Sequence, residues 1–194
     1  MRRIGIYAGT FDPIHIGHVG FALQSLEAAG LDEVVFLPER MPRDKEVVTD
    51  IAHRFEMIQR SIMPYLELSV RLLDIPQFCV QGTLPELRNM FEDAELVMLL
   101  GSDVVKTFVF RWANLDELFA NMSLAIGVRE GDSSKELKKV LRSVTEHVKP
   151  RYVFVGSPLA DTNSTRIRNG QVLRDVDPRT FEYIKEHQLY GRAR

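Results

Sequence analysis

The sequence predicts an α/β fold in which a mainly parallel, doubly wound sheet is followed by a short helical C-terminal tail. Three observations predict it. An apolar stretch at residues 3–8, with Ile4, Ile6 and Tyr7, stops at Gly9 and gives way to helical periodicity. A second apolar run, Val34, Val35, Phe36 and Leu37, closes at Pro38, at the distance a parallel crossover needs. Strand-like and helix-like segments then keep alternating as far as residue 155.

Residues 3–8 are the first predicted strand. From Gly17 onward Val19, Ala22, Leu23 and Leu26 recur at helical spacing, and Gly30 stands where a helix needs a left-handed cap. The second strand follows. Residues 38–49 carry Pro42, Arg43, Asp44 and Lys45 without apolar periodicity and read as an exposed loop leaving that strand's end. Helices are expected at about 50–62 and 84–91, a strand at 96–100 stopping at Gly101, and another strand at 122–128. Leu137, Val140, Leu141, Val144 and Val148 mark one helical face before the last strand at 152–155. Residues 131–134 form a polar linker, no internal repeat is present, and the character changes after Ser157. The expectation is one domain over residues 1–194, Rossmann-like, whose C-terminal part at about 163–194 is helical.

Composition narrows the partners. Of the 194 residues 45% are hydrophobic and 27% charged, the balance of a soluble globular protein, and the formal net charge is -2. No global positive field draws such a chain to nucleic acid or to an anionic membrane, so an anion site has to be built locally. No apolar stretch approaches bilayer length, and the expected location is the cytoplasm. Cys79 is the sole cysteine, which excludes an intrachain disulfide framework; flanked by Phe78 and Val80, it reads as buried.

Two segments carry chemistry. Gly9 at the end of a parallel strand lets the backbone turn tightly and approach a ligand, and the helix that follows presents unsatisfied N–H groups to an anion. His15 and His18 lie three residues apart where that helix begins, so both imidazoles can face one phosphate chain, with Gly17 leaving room between them. Taken alone, such a pair is equally a structural pair or half a metal site. Near the C-terminus, Asn163, Ser164 and Thr165 cap a short helix that brings Arg166 and Arg168 into its first turns. Backbone N–H groups at Ser164 and Thr165 can meet phosphate oxygens, Arg168 can add a forked contact, and Arg166 is expected in solvent.

The run Gly9-Thr10-Phe11-Asp12-Pro13-Ile14-His15-Ile16-Gly17-His18 resembles the G-x-F-D-P-x-H-x-G-H signature of the nucleotidyltransferase superfamily, with Ala8 where many members carry a first glycine. Histidine-x-glycine-histidine also marks class I aminoacyl-tRNA synthetases, but this chain lacks their Lys-Met-Ser-Lys-Ser loop and room for an anticodon-binding part. Ser164, Thr165, Ile167 and Arg168 are similar to the superfamily's Ser-Ser-Thr-x-Ile-Arg motif, Asn163 replacing the first serine. Along nearly its whole length, including residues 181–191, the sequence resembles the bacterial nicotinate-nucleotide adenylyltransferases.

That resemblance implies an enzyme that moves AMP from ATP to nicotinate mononucleotide, releasing pyrophosphate and forming deamido-NAD for NAD biosynthesis. It implies catalytic roles for His15, His18, Lys45 and Arg168, and nucleotide contacts from Gly9, Thr10, Phe11, Gly17, Gly101, Asp103, Asn163, Ser164, Thr165 and Ile167. Trp112 corresponds to the family's tryptophan that stacks on the acceptor's pyridine ring. The family's threonine that helps hold the nicotinate carboxylate is Val80 here, which cannot donate a hydrogen bond; Gln81 or backbone amides are the candidates to replace it. Nicotinamide mononucleotide or another phosphorylated acceptor, or binding of adenine nucleotides without chemistry, are the alternatives. Mg²⁺ is expected to arrive bound to ATP, with no separate protein cage of carboxylates. The expected partners are ATP and a small phosphorylated acceptor, not nucleic acid or membrane, and a homo-oligomer is compatible with the composition.

Overall fold

In the computed structural model, Arg2–Gly9 (β1), Glu33–Pro38 (β2), Leu68–Val70 (β3), Ala94–Gly101 (β4), Met122–Val128 (β5) and Tyr152–Gly156 (β6) form one sheet. The strand order is β3-β2-β1-β4-β5-β6 and every pairing is parallel. The structure describes residues 1–42, 48–129, 131–145, 147–156, 162–169 and 173–190.

The sheet has an apolar layer on each face because its strands are apolar at consecutive positions, as strands buried on both sides must be. Ile4, Ile6, Val35, Leu37, Leu96, Met98, Leu124 and Ile126 face one layer. Val34, Phe36, Val97, Leu99 and Ala125 face the other. On the first side lie Val80–Met90 (α3), Ser102–Arg111 (α4), Leu115–Asn121 (α5) and Ser134–Ser143 (α6), which contribute Leu84, Leu87, Val105, Phe108, Leu118, Leu137 and Leu141. The second side takes Ile16–Ala28 (α1), Ile51–Ile62 (α2), Ser164–Arg168 (α7) and Pro178–Glu186 (α8), through Val19, Phe21, Met57, Ile58, Ile167 and Ile184. The result is three layers, doubly wound and Rossmann-like, with helices closing the C-terminal part. Among the described residues no helix is long and apolar enough to cross a membrane.

Most expected elements are present. Gly30 is left-handed, φ 58°, as the end of α1 requires, and Asp50 caps α2 by accepting from the Ala52 N–H at 2.8 Å. α3 begins at Val80 rather than at 84, because Thr83 accepts from the Cys79 N–H at 3.0 Å and organises an earlier first turn. Cys79, expected to be buried, is exposed: as the residue before α3 it points away from the core that its neighbours Phe78 and Val80 enter. α6 ends at Ser143, so Val144 and Val148 pack on the same apolar cluster from beyond the helix. β3, α4 and α5 have no counterpart among the expected elements; β3 spans three residues, too few to show a period.

Candidate active site

β1 and β4 are adjacent in the sheet while their chains leave toward opposite layers, and a crevice opens at the carboxyl ends of such a pair. Here it is a cavity of about 670 Å³. Gly9 and Thr10 line it from the end of β1, Gly101 and Asp103 from the end of β4, His15, Gly17 and His18 from the start of α1, and Asn163, Ser164, Thr165 and Arg168 from α7 and its cap. Trp112 lines the opposite end. Segments 145 and more residues apart in sequence therefore converge on one space.

The loop after β1 is held in an unusual shape. Phe11 is left-handed, φ 50°, and 2% exposed, its ring folded back so that a Cβ on Gly9 would stand 3.1 Å from it. The Asp12–Pro13 peptide is cis. Tyr7 at 5.1 Å and Phe36 at 5.3 Å meet the Phe11 ring in edge-on contacts that fix it, and Phe21 packs edge-on against Tyr7 at 5.4 Å. Burial and the Asp103 carboxylate push the Tyr7 phenol well above its ordinary pKa, so it stays protonated.

His15 and His18 stack at 3.6 Å between ring centroids. The backbone N–H of His15 donates to Nδ1 of His18 at 3.3 Å, which assigns the His18 ring proton to Nε2, the nitrogen able to donate to a phosphate oxygen. His15 is 6% exposed; burial, helped by the positive charge of Arg129, lowers its pKa to about 4. It is therefore neutral at pH 7 and offers a single N–H. Because the unfolded chain binds this proton more tightly than the folded one, the stability it contributes is complete above about pH 6.5 and is lost as pH falls toward 4. Between pH 7.5 and 4.5 the expected loss is roughly 2–3 kcal/mol. Urea unfolding at the two pH values should show it, and His15→Gln should lose about that much less; an unchanged loss in that variant would assign the effect elsewhere.

α7 is tied to the loop after β1 directly. Arg168 Nη1 donates to the Asp12 carbonyl at 2.6 Å and Nη2 to Thr165 Oγ1 at 3.1 Å, while Ser164 Oγ donates to the Pro13 carbonyl at 2.9 Å. Asn163 caps α7 by accepting from the Arg166 N–H at 2.9 Å, and Arg166 is exposed, as expected. Ile167, expected among the nucleotide contacts, is 1% exposed in the apolar core; its side chain anchors α7 from behind, the face opposite the cavity. Lys45 lies outside the described residues.

Trp112 donates from Nε1 to Thr107 Oγ1 at 3.1 Å and packs at 5.9 Å against Phe78, which also lines the cavity. Val80 and Gln81 do not line it. Val80 is 4% exposed and packs in the core as the first residue of α3, and Gln81 is exposed on that helix, because the chain turns inward at Phe78, two residues earlier. The missing hydroxyl at position 80 thus removes no donor from the cavity wall.

Sequence reasoning missed Glu39 and Arg129, both in the lining. Each follows directly on a strand, β2 or β5, and in a parallel sheet every carboxyl end faces the crevice; strand ends alone would have found them. Arg129 Nη2 lies 3.8 Å from Asp103 Oδ2. Its segment is secured by Asp132, which accepts from the Arg129 N–H at 3.1 Å, from Lys106 Nζ at 2.7 Å and from the Ser102 hydroxyl. The Lys106 and Ser102 hydrogen bonds hold the Asp132 pKa at about 2. Among the described residues no group of three or more His, Cys, Asp or Glu is gathered to hold a metal ion.

A switch-point crevice lined by paired histidines, a helix N-terminus and an arginine-bearing segment from the other end of the chain is that of a nucleotidyltransferase. The chain belongs to the cytidylyltransferase-like family, whose model matches residues 6–170. It is 30% identical to a probable nicotinate-nucleotide adenylyltransferase of Clostridium perfringens, over 99% of this chain and 100% of that one. It is 32% identical to a protein of the same name from Shewanella frigidimarina, over 97% and 99% of the two chains. Its fold matches that of Plasmodium falciparum nicotinic acid mononucleotide adenylyltransferase complexed with NaAD, with a TM-score of 0.80 at 20% identity and 98% of each chain covered.

Proposed function

We propose that this enzyme transfers the AMP part of ATP to nicotinate mononucleotide, releasing pyrophosphate and forming deamido-NAD. The observation that carries the reading is the cavity itself: one end offers the His15–His18 pair with Ser164, Thr165 and Arg168, the other the Phe78–Trp112 aromatic pair. Relatives named for this activity at 30–32% identity over nearly the full chain support the choice of acceptor.

The acceptor's phosphate is ionised at neutral pH, so its oxygen attacks the α-phosphorus without a general base. A P–O bond forms to the acceptor as the bond from α-phosphorus to its bridging oxygen breaks in line, and pyrophosphate leaves with that bonding pair. Catalysis is then positioning and charge stabilisation. His18 donates from Nε2 to the α-phosphate and bridging oxygen, neutral His15 adds a hydrogen bond but no charge, and Arg168 meets the departing pyrophosphate. Lys45 joins it on the strength of the sequence resemblance. Asp103 meets the ribose hydroxyls of adenosine and Trp112 stacks on the pyridine ring.

Mg²⁺ carried on the triphosphate would neutralise its charge. The donor set suits that arrangement: the cavity presents imidazole, hydroxyl and guanidinium groups, which bind phosphate oxygens.

Pyrophosphate release from ATP and Mg²⁺ should be measured with nicotinate mononucleotide, nicotinamide mononucleotide, phosphopantetheine and FMN. Turnover is expected with the first and at most weakly with the others. Silence with both pyridine nucleotides would sink the acceptor assignment, and ATP binding without release for any acceptor would favour a binding module.

A further inference from the structure

Asp12 belongs to the Gly9–His18 run but does not line the cavity. Its side chain is 3% exposed and engaged from two sides: Tyr190 donates its hydroxyl to Oδ1 at 2.6 Å, and the Thr49 N–H donates to Oδ2 at 3.2 Å. The Tyr190 bond joins residues 178 apart in sequence. Both of its ends are strained. Tyr190 is left-handed, φ 63°, two residues after Gln188 at φ 52°, and Phe11, immediately before Asp12, is left-handed at φ 50°. A bulky residue in that region is unfavourable and persists only where its surroundings over-determine it. Here the charge-assisted bond links the two turns, adding to the aromatic contacts on Phe11, and burial together with Asp12 pushes the Tyr190 phenol well above its ordinary pKa, keeping it a donor.

We propose that Tyr190 is a positioning residue for the transfer reaction: through Asp12 it fixes the strained Phe11–Asp12 turn, and so the setting of His15 and His18 three and six residues further on. The bond lies outside the cavity, and Tyr190 touches no substrate. Its effect is on where the imidazoles stand when the α-phosphorus is attacked, which is a kcat effect, because displacements of about 1 Å are expensive in rate.

The test rests on the adenylyl transfer proposed above for its readout and uses the full chain. Tyr190→Phe deletes one oxygen and keeps the ring. It should lower kcat by roughly 10-fold or more while the KM for ATP changes by less than about 3-fold. Measured well below the melting temperature of each variant, this split separates positioning from a loss of folded enzyme. Asp12→Asn reads the same bond from its other end, and in that background Tyr190→Phe should have an effect several-fold smaller than in the parent. A kcat for Tyr190→Phe within twofold of the parent, or effects of the two substitutions that simply multiply, would overturn the proposal. Inactivity of the parent with every acceptor would instead count against the transfer reading, and the positioning role would fall with it.

Discussion

His18→Ala should lower kcat with nicotinate mononucleotide by roughly 10²- to 10³-fold, the usual effect of removing one preorganised donor from developing charge. The KM for ATP should move by only a few fold, because the ground-state triphosphate keeps Arg168, Ser164, Thr165 and the N–H groups at the start of α1. His18 is singled out over His15 by the tautomer. Its Nδ1 accepts from the backbone N–H of His15, so Nε2 donates, and the same bond fixes the ring's direction. His15, buried and neutral, supports the stack at 3.6 Å and adds less charge stabilisation. Steady-state kinetics with both substrates varied would check this, with the melting curve showing that the variant is folded. A kcat within threefold of the parent would remove His18 from the chemistry.

The sequence carried the fold further than it carried the site. Consecutive apolar positions in β1, β2, β4 and β5, each ending at Gly, Pro or a polar residue, are enough to read a parallel sheet buried on both faces, and the structure has it. α4 escaped because β-branched Val104, Val105 and Val109 weaken its helical signature, although Gly101 and Asp103 mark its start. Within the site, the two motif segments were legible since each carries its own turn or cap chemistry. Ile167 shows what a motif leaves open: it says which residues recur together, while helical period decides where each side chain points, and that of position 167 faces the core. Contacts made across long sequence distances were not legible at all. Nothing local to Tyr190 announces Asp12, and nothing in the amphipathic pattern of α2 announces that one of its arginines points inward.

That arginine, Arg54, gives the largest expected effect on stability. It is 0% exposed, and its guanidinium donates to the carbonyls of Thr49 at 2.8 Å, Thr10 at 2.8 Å, Glu39 at 2.8 Å and Arg40 at 3.4 Å. Those oxygens belong to two connections: Thr10 to the loop after β1, and Glu39, Arg40 and Thr49 to the two ends of the one that runs from β2 to α2. One side chain therefore ties the loop after β1 to the backbone that carries Glu39. Burial lowers the Arg54 pKa, while Asp12, Tyr190, Asp50 and Glu39 act in the opposite sense and favour the cation. Arg54→Met fills similar space but leaves the carbonyls unpaired and Asp12 without its nearby cation. The expected loss is about 3–5 kcal/mol, a fall in melting temperature of roughly 8–16 °C for a chain of this size. Arg54→Lys keeps the charge but cannot bridge the same carbonyls with one ammonium, so it should fall between the two. Activity should drop in both variants even at temperatures where they remain folded, since Thr10 and Glu39 lose their common anchor. Thermal melts alongside initial rates at 15 °C test both parts: a shift under 3 °C for Arg54→Met would show that water replaces the guanidinium at little cost, and full activity in the folded variant would show that the loops hold their shape without it.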